Sequence, residues 1–257
     1  MIRRVVVWAA ALGALVFLAL PIVAIFARLS LGHLSSSIVT DAIVVSLKTT
    51  FAAQALVLAF GTPTAYLLAT NRFRGRSLVV TLVELPIVLP PAVAGIGLLA
   101  AFGRMGLLHT GLPFTQAAVI VAIAFVSGPL YVRQAIAAFE AVDDTLVAAS
   151  RTLGAGPVKT FFRVILPLAR GGLGAGEALA FARGLGEFGA TIMFAGSLQG
   201  VTQTLPLAVY QEFDVDFKLA LALGGLLVLV SAVLLVTLKW LASSSTSAFR
   251  FALSSSS

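Results

Sequence analysis

Cysteine is absent from the chain, and histidine occurs only at His33 and His109. No disulfide, thiol nucleophile or Cys-ligated metal site is available, and no cluster of titratable groups stands out to serve an enzyme. Charge is scarce too. Asp, Glu, Lys and Arg make up 11% of the 257 residues against 60% hydrophobic ones, whereas soluble domains use about one quarter charged residues. There is also no G-x-x-x-x-G-K-[ST] loop, hence no phosphate cradle. These gaps exclude a soluble domain and a self-contained ATPase. In such a chain a net charge of +7 is no signal for nucleic acid; it belongs to loops that orient membrane helices.

What the chain has in abundance is long apolar runs, with a mean hydropathy of +1.07. A spanning helix needs about 20 mostly apolar residues. Six segments qualify: Val5–Leu29, Ala42–Thr70, Leu78–Phe102, Gln116–Phe139, Arg170–Ala195 and Leu219–Trp240. The first follows Arg3 and Arg4 like a signal peptide, but its uncharged stretch Val5–Ala27 exceeds a typical apolar core and no cleavage site follows, so it reads as a retained helix. Pro86, Pro90 and Pro91 are expected to interrupt the third span, and Gly128 with Pro129 the fourth.

With the N-terminus inside, one side collects Arg3, Arg4, Arg72, Arg74, Arg76, Arg151, Lys159, Arg163, Arg170, Lys239 and Arg250. The other has Arg28, Lys48, Arg104 and Lys218. This bias predicts that both termini are cytoplasmic. The segment after the fifth span, with Glu212, Asp214 and Asp216, then faces outward. Residues 1–242 read as a single membrane domain and the Ser-rich segment 243–257 as an unstructured tail.

The polar insert 140–167, between spans four and five, is the one structured face such a chain offers to soluble partners. Asp143 and Asp144 open a helical run reaching Leu153, where acids complement the positive helix end. Gly154, Ala155, Gly156 and Pro157 break it. A second short helix is expected from Val158 to Ile165, stopped by Pro167 before the next span. Phe161 and Phe162 are too apolar for a solvated loop and are expected to pack against the bundle or a partner.

In the fifth span, at about 100° per residue, Gly172, Gly176, Ala180, Arg183, Gly184, Glu187, Ala190 and Thr191 fall on one face, and Phe181, Leu185, Phe188 and Ile192 on the other. Arg183 must point into protein, since lipid penalises it by a few kcal/mol or more. Glu187, four residues on, can neutralise it. Two roles stand for this pair: a structural ion pair, or part of a pore lining. Glu84 and Glu177 are further intramembrane acceptors.

The run AASRTLG from Ala148 to Gly154, followed by Val164, Leu166 and Pro167, resembles the EAA loop of importer permeases of the ABC transporter superfamily. There the loop is a coupling helix seated in a cleft of the ATPase subunit. The resemblance assigns that role to Ala148, Ala149, Ser150, Arg151, Leu153, Gly154, Ala155, Gly156, Pro157, Leu166 and Pro167. Ala148 stands where the motif has its acidic residue. FARGLGEFGATIMFAG from Phe181 to Gly196 and TQTLPLAVY from Thr202 to Tyr210 resemble molybdate permeases, as do PIVLPPAVAG from Pro86 to Gly95 and AFGRMG from Ala101 to Gly106. Sulfate and tungstate permeases share part of the pattern.

The resemblance implies an all-α, six-helix inner-membrane permease of type I fold, paired with a second copy of itself. Two P-loop ATPase subunits would bind the ATP and Mg, with no cofactor in this chain, and an external oxyanion-binding protein would deliver molybdate or tungstate. Pro90, Pro91, Arg183, Gly186, Glu187, Gly189 and Thr191 become candidates for the translocation path or its gate. The rival readings are a sulfate or thiosulfate permease and an ion-coupled carrier. Broken helices and intramembrane charge suit the carrier, but it has no need of a docking insert.

Overall fold

The computed structural model describes residues 2–29 and 31–254, with side chains described at residues 4, 6–29, 32 and 34–237. Among the described residues the regular elements are all helical. They are α1 (Ile2–Ala27), α2 (Ser37–Thr70), α3 (Arg76–Val88), α4 (Pro91–Phe102), α5 (Gln116–Glu140), α6 (Asp144–Thr152), α7 (Pro157–Thr160), α8 (Leu166–Leu185), α9 (Gly189–Ala195), α10 (Leu205–Glu212) and α11 (Phe217–Ser254). A 3-10 turn covers Leu31–Ser35, and a π turn, Phe161–Ile165, joins α7 to α8. Five helical stretches are long and apolar enough to cross a membrane, six spans if the bent pair α3–α4 counts as one.

Side chains set several helix starts. Ser36 accepts a hydrogen bond from the Ile38 amide at the start of α2, and Thr115 accepts one from Ala118 at the start of α5; each satisfies an amide that the first turn leaves without a helical partner. The centre of the bundle is α2 against α5 and α5 against α8. A buried polar link fixes their register: Gln54 Nε2 donates to Ser127 Oγ (3.1 Å) and to the Ala180 carbonyl (3.3 Å). One apolar cluster packs the halves of α2, α5 and α8 nearest α6, and a second joins α4, the first half of α5, and α9. Since α3 starts at the first cluster and α5 starts at the second, α3 and α4 together carry the chain between the two ends of the bundle. In α1 the membrane-length window Val6–Ala27 has no buried residue, and the helix touches the bundle along α11.

The structure breaks span three where the sequence reading expects it and departs from that reading at several other places. The interruption expected in span three, Leu78–Phe102, is a bend of 114° between two helices. Leu89 is extended (ψ 134) ahead of Pro90, as a residue before proline prefers, and Pro91 takes the first position of α4. Pro86, by contrast, sits inside α3 without breaking it. Gly128 and Pro129 do not interrupt α5, which runs unbroken to Glu140; there Ser127 Oγ donates to the Ile123 carbonyl at 2.7 Å, and α2 and α8 enclose the segment. Pro167 does not stop a helix. The Leu166 amide reaches back five residues to the Phe161 carbonyl, and this wider turn leads into α8 with Pro167 in its first turn, where the missing N–H costs nothing.

Span five is not one helix to Ala195. It ends at Leu185, turns through Gly186 and resumes as α9, so the expected faces hold only as far as the break. The connection after it is more than an outward loop, because Thr202–Ala208 is buried and α10 is supported by Ser46 Oγ, which accepts from the Leu205 amide at 2.7 Å. Finally, α11 continues through Ser254 where composition predicts an unstructured tail. Elongating an existing helix avoids the nucleation cost. Residues 255–257 lie outside the described residues.

Candidate functional site

Two constructions stand out, one at the α6 end of the bundle and one within it. The first is the knob α6–α7. Asp143 Oδ1 accepts from the Thr145 amide at 2.8 Å, and this bond holds the Asp143 carboxyl below the usual carboxylate range. At the other end Gly154 adopts φ +82. Its amide bonds to the Arg151 carbonyl (3.0 Å) and the Ala155 amide to the Ser150 carbonyl (3.1 Å). This paired arrangement closes a helix through a left-handed residue, a conformation for which glycine is preferred. Gly156 and Pro157 then start α7.

The two arms are tied by Ser150 Oγ and Thr160 Oγ1 at 3.1 Å, with Thr160 fully buried. Phe161 anchors the knob to the bundle, its ring 4.8 Å from Tyr66 and 6.3 Å from Phe139. What the knob leaves uncovered is apolar: Leu153 is 88% exposed, Val158 71%, and Phe162 is exposed too. Among charged neighbours, Arg151, Lys159 and Arg163 are exposed. Ala148, in place of the motif acid, lines a groove of about 1300 Å³ together with Asp144, Arg151, Arg72, Arg74 and the ion-paired Arg76 and Glu140.

The second construction is the α8–α9 break. Arg183 Nη1 lies 2.7 Å from Glu187 Oε2, with the arginine side chain 35% exposed and the glutamate 1%. Glu187 Oε1 also accepts from the Ala190 amide at 2.7 Å, so one carboxylate ties the end of α8 to the start of α9. Gly186 makes the turn between them (φ −87, ψ 8). Across from it, α4 packs so closely on α9 that a Cβ on Gly189 would lie 2.5 Å from Pro91 Cβ, and one on Gly95 would lie 2.6 Å from both the Ala190 carbonyl oxygen and Met193 Cβ. Pro90 caps α4 at the same place. Thr191 is buried and its hydroxyl has no hydrogen-bond partner among the described residues. Arg183 lines a cavity of about 120 Å³ whose other walls are Pro86, Ile87, Leu89, Pro91, Ala94, Val126 and Leu130.

The gate candidates Pro90, Pro91, Arg183, Gly186, Glu187, Gly189 and Thr191 are thus brought together by the α4–α9 contact, and the coupling candidates form one continuous knob. Glu84 pairs with Arg133 at 3.5 Å, and Glu177 keeps one buried oxygen without a hydrogen-bond partner. Sequence reasoning passed over the Gln54–Ser127 link and the Ser150–Thr160 tie. Gln54 announces itself as a lone amide in an apolar span; Thr160 carries no such signal.

A bundle of broken apolar helices with an uncovered, self-capped knob is the architecture of a transporter's membrane subunit. A family profile described as "Binding-protein-dependent transport system inner membrane component" matches residues 61–244, and the chain belongs to that family. It is therefore a transport component rather than an enzyme. It is 43% identical to the molybdenum transport system permease protein ModB of Mycobacterium tuberculosis, over 90% of this chain and 91% of that protein. It is 34% identical to the molybdate/tungstate transport system permease protein WtpB of Pyrococcus abyssi, over 90% and 93%. Among solved structures, the fold is shared with the MetNI methionine ABC transporter (TM-score 0.65, 21% identity, 80% of this chain and 95% of that one). It is also shared with a bacterial alginate ABC transporter (TM-score 0.69, 17% identity, 92% and 93%).

Proposed function

We propose that this chain is the membrane-spanning half of a molybdate importer, working as a homodimer with two cytoplasmic ATPase subunits and an external binding protein. Near full-length similarity to molybdenum transport permeases carries the substrate. Coupling is read from the knob. Leu153 and Val158 are too apolar and too exposed to be left in water on an otherwise well-capped motif, and a cleft on the ATPase is the surface that covers them. The chain has no nucleotide loop of its own, so the free energy of ATP must enter through such a contact. Closure of the ATPases moves the two knobs, the Phe161 anchor passes the movement to α2 and α5, and α8 carries it to the break at Gly186, where the pore opens to alternate sides.

The bias of Lys and Arg supports placing the knob and both termini in the cytoplasm. Selectivity belongs mainly to the external receptor, because a path that held the anion tightly would not release it. The test is reconstitution of the chain with its ATPase and binding protein in proteoliposomes. Molybdate and tungstate are expected to stimulate ATP hydrolysis and to compete for uptake, with sulfate much weaker; equal or preferred uptake of sulfate would overturn the substrate.

A further inference from the structure

Arg183 is the one charged residue lining the cavity at the α3–α4 bend, and the other lining residues are apolar. Its volume of about 120 Å³ corresponds to roughly four waters at liquid density, room for a small tetrahedral anion. Arg183 Nη1 is ion-paired with Glu187 Oε2, and a guanidinium has five N–H donors in a planar fork suited to pairs of anionic oxygens. The carboxylate is not bound to Arg183 alone, for Glu187 Oε1 keeps the Ala190 amide at 2.7 Å. If the guanidinium turns away, the acid retains a hydrogen bond and the arginine retains its fork. The guanidinium stays within reach of Glu187 while its other N–H groups hold the anion, so the buried carboxylate keeps a nearby cation as well as that bond, and the two partners can part and re-form.

We propose that Glu187 is a resident counter-anion and that Arg183 exchanges it for the travelling oxyanion, forming a transient one-anion site at the α3–α4 bend. The proposal rests on the permease reading and adds the chemistry of the path to it. The nearby carboxylate repels a dianion and competes for the same guanidinium, so occupancy is weak and brief. A conducting site needs that property, and an isolated arginine in an apolar cavity lacks it. The pair thereby accounts for a fixed cation on a dianion path that does not become a trap.

The experiment uses the chain assembled with its ATPase subunits in lipid nanodiscs, without binding protein, and sodium molybdate as the probe. Equilibrium dialysis measures binding; proteoliposome uptake with binding protein and ATP is measured in parallel. Glu187→Gln, which removes the competitor and keeps the hydrogen-bonding shape, is expected to tighten molybdate binding at least tenfold while slowing uptake. Arg183→Gln added to it is expected to abolish the binding. Unchanged affinity in Glu187→Gln, or tight binding that survives loss of Arg183, would overturn the proposal.

A second variant leaves the charges alone: Leu130→Phe fills the cavity, and is expected to cut uptake severalfold with knob docking and ATPase assembly intact. Wild-type uptake rates in Leu130→Phe would also overturn the site, whatever the yield of the Glu187 variant. If the wild-type complex itself imports no oxyanion on ATP, the permease reading fails instead, so the two failures are distinct.

Discussion

The knob and the α8–α9 break are both glycine-marked turns between helices, yet they are held by opposite means. In the knob nearly every stabilising contact is local: the Asp143 cap, the closure through Gly154, and the Ser150–Thr160 tie all lie within a short stretch of chain. Leu153, Val158 and Phe162 are exposed, and Phe161 anchors the unit to the bundle. At the break a local Arg183–Glu187–Ala190 link is joined by contacts from elsewhere in the sequence, with α4 pressed onto α9 through Gly95 and Gly189 and no space left beside them. A local motif can move as a unit without losing its shape, whereas a turn built from long-range packing changes shape when its neighbours move. The first suits a transmitter and the second a gate.

The sharpest test of this contrast is Arg183→Ala. It leaves the buried Glu187 with the Ala190 amide alone, and stranding a buried charge costs up to about 3 to 5 kcal/mol in soluble proteins. Yield and thermal unfolding temperature in detergent are expected to fall, and Arg183→Ala with Glu187→Ala is expected to recover most of the loss while transport stays slow. Full stability of the single variant would show that the break is not held by its ion pair.

Gly95→Leu attacks the packing at the same site. Overfilling a packed interior costs typically about 1 to 3 kcal/mol, and both stability and transport are expected to drop together. At the knob the two should separate. Gly154→Val forces a β-branched residue into φ +82, a strain on the order of 1–3 kcal/mol confined to the knob. Membrane insertion and bundle stability are expected to survive, with ATPase co-purification and ATP-driven uptake lost. Parallel loss of bundle stability would erase the distinction between the two regions.

The smallest effect concerns Asp143. Its carboxyl is held below the ordinary carboxylate value by the Thr145 amide, so the cap is fully made above about pH 4 and is lost as pH falls through the lowered value. Protection of the Thr145 amide against hydrogen exchange, taken relative to its intrinsic rate at each pH, is expected to fall on acidification in the wild type. In Asp143→Ala that protection is expected to be absent throughout the window.

The same contrast explains what was legible in the sequence. The knob could be read closely, with α6 capped at Asp143 and closed at Gly154, because its determinants lie within a few residues of one another. Pro167 misled: a proline ordinarily ends a helix, and nothing local discloses that a π turn at Phe161–Ile165 lets the chain run on into α8. The Arg183–Glu187 pairing followed from four-residue spacing, but the break between them did not, since α9 starts afresh only because Pro91, Gly95 and Gly189 allow α4 to close on it. Gly128 and Pro129 erred in the other direction, their disruption suppressed by the helices that enclose α5. Arg133 and Glu84 found each other across two helices, a pairing that spacing along one helix cannot reveal.

Under the proposed coupling, the chain moves an oxyanion only when ATP-driven closure reaches the bundle through the knob. Molybdate uptake into proteoliposomes containing the chain, with and without its ATPase subunits and under an imposed proton or sodium gradient, tests it most directly. Uptake is expected to require the ATPase, ATP and an intact Gly154 turn, and to be indifferent to the ion gradient. Uptake at the full rate without the ATPase, driven by either gradient, would contradict it.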